Sequence, residues 1–152
     1  MTKKAKSKKR LIVISGATAI GKTALSIKLA QHFNTEIVSA DSRQFYKELK
    51  IGAAPPTKKE LAKVVHHFIQ HLSVKEDYNV GRFEKEAIEK IEVLFMKNEV
   101  VIMVGGSGLY IDAICNGLDV FPDIDQKIKQ AYITKYKSEG IKFLQNELKQ
   151  KD

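Results

Sequence analysis

A glycine-rich segment near the N-terminus carries the residues best suited to binding phosphate. It matches the pattern G-x-x-x-x-G-K-[ST], which binds phosphate where a strand precedes it and a helix follows. The segment reads Gly16, Ala17, Thr18, Ala19, Ile20, Gly21, Lys22, Thr23. Its backbone N–H groups would surround the anion, Lys22 would supply positive charge, and the Thr23 hydroxyl is a ligand for Mg²⁺. The pattern predicts a site for a di- or triphosphate, but not the reaction, and a tight glycine turn is the alternative.

An acidic residue, Asp41, follows a second predicted strand. Kinases and NTPases usually hold Mg²⁺ with an acid at a strand end, but the apolar run 100–104 leads into Gly105, Gly106 and Ser107 instead. We place Asp41 next to the loop of the first strand and interpret it as a general base for a nucleophile held beside the phosphates. An aspartate that only caps the turn at Ser42 is an equally good explanation.

The elements that must position these residues are strands alternating with helices. Continuous apolar runs predict strands at 11–14 and 100–104, and a shorter, half-apolar run predicts one at 36–40. Helices are predicted at 22–33, from an N-cap at Asn79 to 97, and at 108–116. Apolar spacing puts Leu25, Leu29 and Phe33 on one face of the first helix. These three recognisable strands predict an α/β fold, a doubly wound parallel sheet that binds ligands at the carboxyl ends of its strands.

Two regions fit this alternation less well. The segment 47–79 is irregular because Pro55 and Pro56 exclude a helix there, although a short helix at 58–65 and a strand at 68–74 fit the pattern. After Pro122 the pattern changes to two polar helices separated at 138–140, and no further strand is predicted.

Composition and charge exclude several classes of protein. The 152 residues are 43% hydrophobic, and the longest apolar runs fall far short of the roughly 20 residues of a membrane span. The single cysteine, Cys115, cannot form an internal disulfide. It lies in a predicted apolar helix, where its side chain is expected to be packed against neighbouring residues. The net charge of +8 comes mostly from six lysines and arginines in residues 1–10, an arm that we expect to be solvated and disordered. With no apolar leader at the N-terminus, these features predict a cytosolic protein.

Four further segments resemble, in order and spacing, successive signatures of the tRNA dimethylallyltransferase family. They are 38–46 (VSADSRQFY), 51–54 (IGAA), 66–67 (HH) and 104–111 (VGGSGLYI). The resemblance covers the chain from about Leu11 to its last helix. It implies a P-loop NTPase-like core, here 11–121, followed at 122–152 by the start of a helical insertion domain. Family members have roughly twice this length, so we expect an N-terminal portion of such an enzyme.

The resemblance also implies a reaction and its site residues. In this family the loop holds dimethylallyl diphosphate, whose five-carbon group is transferred to N6 of the adenosine on the 3′ side of a tRNA anticodon. Asp41 would accept the N6 proton, Lys22 and Thr23 with Mg²⁺ would stabilise the pyrophosphate, and Ser107 would hydrogen-bond at the reacting centre. The implied tRNA contacts are Asp41, Ser42, Arg43, Gln44, Ser107 and Lys129. The full-length enzyme is expected to be a monomer without membrane contact.

This sequence departs from the family at three of these places. Ser107 replaces a threonine and keeps the hydroxyl, and Lys129 replaces an arginine and keeps the charge. The segment 52–56 reads GAAPP instead of Gly-Thr-Ala-Lys-Pro, so a hydroxyl and a lysine expected near the substrates are lost.

Other functions and roles were weighed against these. A P-loop kinase for a small molecule or nucleotide is the alternative activity, and an inactive RNA-binding fragment is a third possibility. His66, His67 and His71 lack properly spaced Cys or acidic partners and are interpreted as non-ligands of metal. Phe45 and Tyr110 fit stacking on adenine and packing in the core equally well.

Overall fold

A computed structural model describes residues 8–119 and 124–151. The first seven residues of the predicted basic arm and the boundary residue Pro122 lie outside the described residues. Contacts divide the chain into two compact units, Met1–Leu118 and Asp119–Asp152. The described part of the first unit holds the phosphate-loop segment.

A parallel sheet forms the centre of the first unit. Its strands are β1 (Arg10–Ser15), β2 (Ile37–Ser39), β3 (His66–His67) and β4 (Val100–Gly105). They lie in the order β1-β4-β2-β3, and each neighbouring pair is parallel. The predicted α/β fold with a parallel sheet is therefore confirmed. Arg10 belongs to β1, which begins one residue earlier than predicted, rather than to the arm.

Three details of the predicted sheet are wrong. β4 lies between β1 and β2, so the strand before Asp41 is not adjacent to β1. β3 was not predicted, because two histidines give no apolar alternation. The strand predicted at 68–74 does not form, since Phe68 and Gln70 adopt left-handed backbone with φ of 62° and 46°, which interrupts an extended chain. Only an isolated bridge between Tyr46 and Leu72 remains there.

Four helices flank or follow the strands of the first unit. They are α1 (Lys22–His32), α2 (Lys58–Leu61), α3 (Val80–Lys97) and α4 (Gly108–Asn116). The predicted cap of α3 is confirmed, since the Asn79 side chain accepts a hydrogen bond from the Arg82 N–H at 2.9 Å. α2 is shorter than the predicted segment 58–65 and begins with a capping box made by Thr57 and Glu60.

The two faces of the sheet carry separate apolar cores. On one face α1 packs Ile27 and Ala30 against Ile37 and Ile102. Of the three apolar residues predicted to share one face of α1, Leu29 packs against this core, whereas Leu25 and Phe33 are 48% and 39% exposed. The buried residues of α1 are Ser26, Ile27 and Ala30. The small Ser26 and Ala30 let the helix approach the strands closely, which apolar spacing alone does not reveal.

The opposite face is covered by α3 and a cluster of aromatic rings. Phe45 is fully buried and stacks on Phe83 with ring centroids 5.2 Å apart, and Tyr110 lies edge-on to Phe45 at 5.5 Å. Of the two roles considered for these rings, packing in the core is therefore the one the fold supports. Cys115 is exposed, contrary to prediction, because it follows the buried Ala113 by two residues and so lies about 200° away around α4.

The second unit contains the two predicted helices, α5 (Gln126–Glu139) and α6 (Ile141–Lys151). They meet at Gly140, whose φ of 74° suits a glycine that ends a helix. Tyr132 packs against Phe143 with centroids 5.8 Å apart and donates a hydrogen bond to Glu147 at 3.0 Å. Across residues 8–119 and 124–151, no helix is long and apolar enough to cross a membrane.

Candidate functional site

The phosphate-loop segment connects β1 to α1 and is held by its own lysine. Lys22 Nζ donates hydrogen bonds to the carbonyls of Gly16 at 2.8 Å and Ala17 at 2.6 Å. The loop needs left-handed backbone at Ala19 (φ 66°) and at the helix cap Gly21 (φ 96°). Gly21 brings no side chain to cap α1, and the first turn of that helix contains no acid. The first N–H groups of α1 therefore favour an anion at this end.

A cavity of about 280 Å³ opens beside this loop at the carboxyl ends of the strands. The predicted site residues that line it are Thr18, Ala19, Gly21, Lys22, Thr23, Asp41 and Gln44. The phosphate loop and Asp41 thus share one cavity although β4 separates their strands. The Gln44 side chain donates to the carbonyls of Ala53 and Ala54, both at 3.2 Å, and so fixes the segment that departs from the family sequence.

Asp41 caps its own turn and also lines the cavity. Its Oδ1 accepts a hydrogen bond from the Arg43 N–H at 3.2 Å, as a turn-capping aspartate does. The same carboxylate lines the cavity, and its Oδ2 faces Gly106, where an added Cβ would lie 3.5 Å away. One carboxylate oxygen is therefore held by the backbone of its own turn, while the residue lines the cavity.

Ser107 joins the ends of two strands next to Asp41. Its Oγ accepts a hydrogen bond from the Ser42 N–H at 2.9 Å and lies 3.0 Å from the Ser42 hydroxyl. A Cβ added at Gly105 would lie 2.2 Å from the Ala40 carbonyl oxygen, so only glycine fits between β2 and β4 at this level. Ser107 is not among the residues that line the cavity; it holds the turn that carries Asp41.

The remaining predicted site residues lie apart from the cavity lining. Gly16 and Ala17 act through the carbonyls that bind Lys22, and Ile20 is 72% exposed. The Arg43 side chain is exposed at the surface. Lys129 is exposed on α5 in the second unit.

Several lining residues were missed by sequence reasoning. They are Ala24, Ser39, Glu60, His66, Ile69, Val104 and Gly105. The segment between Gly52 and α2 was expected near the substrates, and its residues Ala53, Ala54 and Pro56 line the cavity. A hydroxyl at the carboxyl end of a buried strand was the available signal for Ser39, and the HH pair marked His66 without giving its direction.

The charges around the cavity favour a cation together with a phosphate ligand. The Thr57 backbone N–H and hydroxyl both donate to Glu60, lowering the pKa of that carboxyl, so Glu60 is ionised near neutral pH. Burial lowers the pKa of His66 and keeps its ring neutral. Two carboxylates, Asp41 and Glu60, thus line the cavity with one lysine.

The side chains present suit Mg²⁺ bound through a substrate. The Thr23 hydroxyl and the Asp41 carboxylate are the hard oxygen ligands that Mg²⁺ prefers, and both line the cavity. Within the described residues, no group of three or more His, Cys, Asp or Glu side chains is arranged to hold a metal ion. Mg²⁺ usually keeps several water ligands and binds through substrate phosphates, so it needs no such cage. The donor set fits the ion.

Comparison with known proteins identifies relatives across both units. A family model described as IPP transferase matches residues 44–152. A tRNA dimethylallyltransferase of Flavobacterium johnsoniae is 58% identical over 144 residues, covering 95% of this chain and 47% of the relative. One from Christiangramia forsetii is 59% identical over 138 residues, covering 91% and 46%. The chain therefore spans about half the length of the curated relatives it matches.

Solved structures agree with these matches. The crystal structure of a full-length tRNA isopentenylpyrophosphate transferase from Bacillus halodurans superimposes with a TM-score of 0.70 and 32% identity, covering 97% of this chain and 48% of that one. A eukaryotic dimethylallyltransferase, described in crystallographic snapshots of its action on tRNA, gives a TM-score of 0.69 and 33% identity, covering 80% and 31%.

Proposed function

Because the chain belongs to the IPP transferase family, we propose that the whole protein transfers the dimethylallyl group of dimethylallyl diphosphate to N6 of the adenosine on the 3′ side of a tRNA anticodon, releasing pyrophosphate. The observation that carries the proposal is that the phosphate loop and Asp41 line the same cavity. A diphosphate leaving group and a base for the incoming amine need those two features side by side.

The loop side of the cavity binds the leaving group. Lys22 and the first N–H groups of α1 stabilise the negative charge that grows as the bond between the five-carbon group and the diphosphate breaks. The Thr23 hydroxyl suits Mg²⁺, which would supply further charge neutralisation on the pyrophosphate. Lys22 already lies against the loop carbonyls, so its ammonium needs little movement to meet a phosphate.

Asp41 serves the nucleophile. As the bond from N6 to the five-carbon group forms, N6 gives up a proton, and Asp41 Oδ2 accepts it. The hydrogen bond from the Arg43 N–H to Oδ1 keeps the carboxylate turned toward the cavity. Ser107 maintains that turn through its two contacts with Ser42, and a threonine would keep the same hydroxyl.

The candidate tRNA contacts are the residues that follow Asp41 in the chain and, separately, a lysine of the second unit. Ser42, the exposed Arg43 and Gln44 follow Asp41 directly, and Lys129 is an exposed cation on α5. An adenosine must leave its base stack to reach such a cavity. A cytosolic location and a monomeric full-length enzyme remain predictions from the sequence.

The central experiment measures prenyl transfer by the intact protein. It is incubated with dimethylallyl diphosphate, Mg²⁺ and an anticodon stem-loop RNA, and prenylated adenosine is measured by mass spectrometry of the digested RNA. We expect Asp41→Asn to lower turnover by about 10²–10⁴-fold, because the amide accepts no proton from N6. Asp77→Asn, a matched change at an exposed carboxylate before α3, should leave turnover unchanged.

Two results would contradict the proposal. Normal turnover by Asp41→Asn would remove this residue from the chemistry. Phosphate transfer from ATP to an acceptor, without prenylated adenosine, would favour the kinase alternative.

A further inference from the structure

Two residues of the cavity lining, Ser39 and His66, each carry a buried polar atom that lacks a hydrogen-bond partner within the described part of the chain. These atoms are Ser39 Oγ and His66 Nε2. Ser39 is only 1% exposed, and His66 is partly buried. Buried polar groups of native proteins are almost always paired, so an unpaired one at a ligand cavity needs an explanation. A bound ligand provides it.

Both atoms lie on the α1 side of the sheet. His66 pairs with Ile37 across the parallel ladder, and Ile37 and Ser39 share a face because side chains alternate along a strand. Ile37 packs in the core beneath α1, so this is the face that α1 covers. α1 begins at the phosphate loop with Lys22 and Thr23. A ligand at Thr23 therefore lies on the same side of the sheet as Ser39 and His66.

His66 Nε2 is a hydrogen-bond acceptor without a partner in the described chain. Its Nδ1 lies 2.9 Å from the Val64 carbonyl, which only accepts, so Nδ1 carries the proton. Burial lowers the pKa of the ring, which leaves Nε2 with a free lone pair near neutral pH. Phosphate oxygens are acceptors as well and do not pair with this atom. Water molecules bound to a cation are donors and do.

The charges of the wall point to the same ligand. Asp41 and Glu60 repel a bare diphosphate, and one lysine does not offset both carboxylates together with the anion. A divalent cation that arrives with the diphosphate removes this conflict, and Mg²⁺ retains several waters when it binds through phosphates.

We propose that Ser39 Oγ and His66 Nε2 bind the water shell of the Mg²⁺ that accompanies the diphosphate, and so position the metal beside Thr23. Ser39 and His66 are positioning residues, since they act through water and not on the reacting atoms. The inference rests on the proposed function, because it assumes a metal diphosphate in this cavity.

The test measures binding rather than turnover. Calorimetry gives the affinity of the intact protein for pyrophosphate, with excess Mg²⁺ or with EDTA, in the Ser39→Ala and His66→Asn variants. The asparagine amide still donates to the Val64 carbonyl, so the local contact of the histidine is retained. Thr35→Val is the matched control, because Thr35 Oγ1 is also buried without a partner in the described chain, yet lies before β2 and outside this cavity.

We expect each variant to weaken binding of magnesium pyrophosphate by about three- to tenfold, the size of one lost hydrogen bond. The affinity for pyrophosphate in EDTA should be the same in these two variants as in the wild type. Thr35→Val should match the wild type under both conditions. The ligand-free melting temperature of Ser39→Ala should equal or exceed that of the wild type, because the change removes an unpaired buried hydroxyl. A purely structural role for Ser39 would instead lower that melting temperature and leave affinity unchanged.

The outcomes separate this inference from the proposed function. If the wild type binds magnesium pyrophosphate and both variants bind it equally well, the inference is wrong and the proposed function stands. An equal loss with and without Mg²⁺ also overturns the inference, because the two side chains then contact the diphosphate itself. If the wild type binds pyrophosphate under neither condition, the inference and the proposed function are both wrong.

Discussion

Replacing Gly105 by alanine tests the close contact between β2 and β4 at the edge of the cavity. An alanine Cβ at this position would lie 2.2 Å from the Ala40 carbonyl oxygen and 2.5 Å from its carbon, whereas real Cβ contacts are essentially never shorter than 3.0 Å. Both neighbouring atoms are backbone, so no side-chain rotation relieves the clash. The strand ends must separate by about 1 Å.

The cost follows from what that separation breaks. Overpacking a well-packed site costs about 1–3 kcal/mol. Moving Ala40 also weakens the hydrogen bond from its N–H to the Val104 carbonyl, now 2.8 Å long, which contributes about 1 kcal/mol. The expected loss is therefore about 2–4 kcal/mol in the free energy of unfolding, or on the order of 10 °C in melting temperature.

Urea denaturation followed by circular dichroism measures this loss, with Gly108→Ala as the control. The two glycines are three residues apart and undergo the same chemical change. Nothing lies within 4 Å of a Cβ added at Gly108, which is the first residue of α4. Alanine there should leave stability unchanged or raise it by up to about 1 kcal/mol. If Gly105→Ala is as stable as Gly108→Ala, the close contact between β2 and β4 is wrong.

Two further predictions concern the turn beside Asp41 and the partly buried His71. Ser107→Ala should cost about 1–2 kcal/mol in the free energy of unfolding, because the partly buried Ser42 N–H loses its acceptor. Ser107→Thr keeps the hydroxyl and should cost little. Equal stability of the two variants in urea would show that the contact contributes nothing. Burial lowers the pKa of His71 in the folded protein, so as the pH falls the unfolded chain binds a proton at this residue before the folded protein does. The free energy of unfolding should therefore fall as the pH drops below about 6.5, by at most ~1.4 kcal/mol per pH unit for each such histidine. His71→Phe should make that fall smaller in urea titrations at several pH values, and an unchanged profile would remove His71 as its source.

The sequence predicts best the elements whose stability is local or strongly patterned. β4 is an uninterrupted apolar run, and α3 combines a capping asparagine with regular apolar spacing. Both were predicted within a residue of their ends. The phosphate loop was recognised for a similar reason, since its backbone geometry requires particular residues at fixed spacing.

The features that were missed depend on contacts between distant parts of the chain. β3 is only two histidines long and exists because β2 lies beside it. The buried face of α1 is set by how closely Ser26 and Ala30 approach the sheet, which apolar periodicity does not encode. Ser39 and His66 line the cavity, and within the described residues Ser39 Oγ and His66 Nε2 have no hydrogen-bond partner, a property visible only after folding.

The Lys22 ammonium has three N–H groups, and the carbonyls of Gly16 and Ala17 take two of them. The lysine therefore acts as an internal cation that holds the loop in shape before any anion arrives. The remaining N–H is available to a phosphate without breaking either bond. Reorganisation on binding is correspondingly small, so more of the intrinsic attraction between the loop and a diphosphate is retained as affinity.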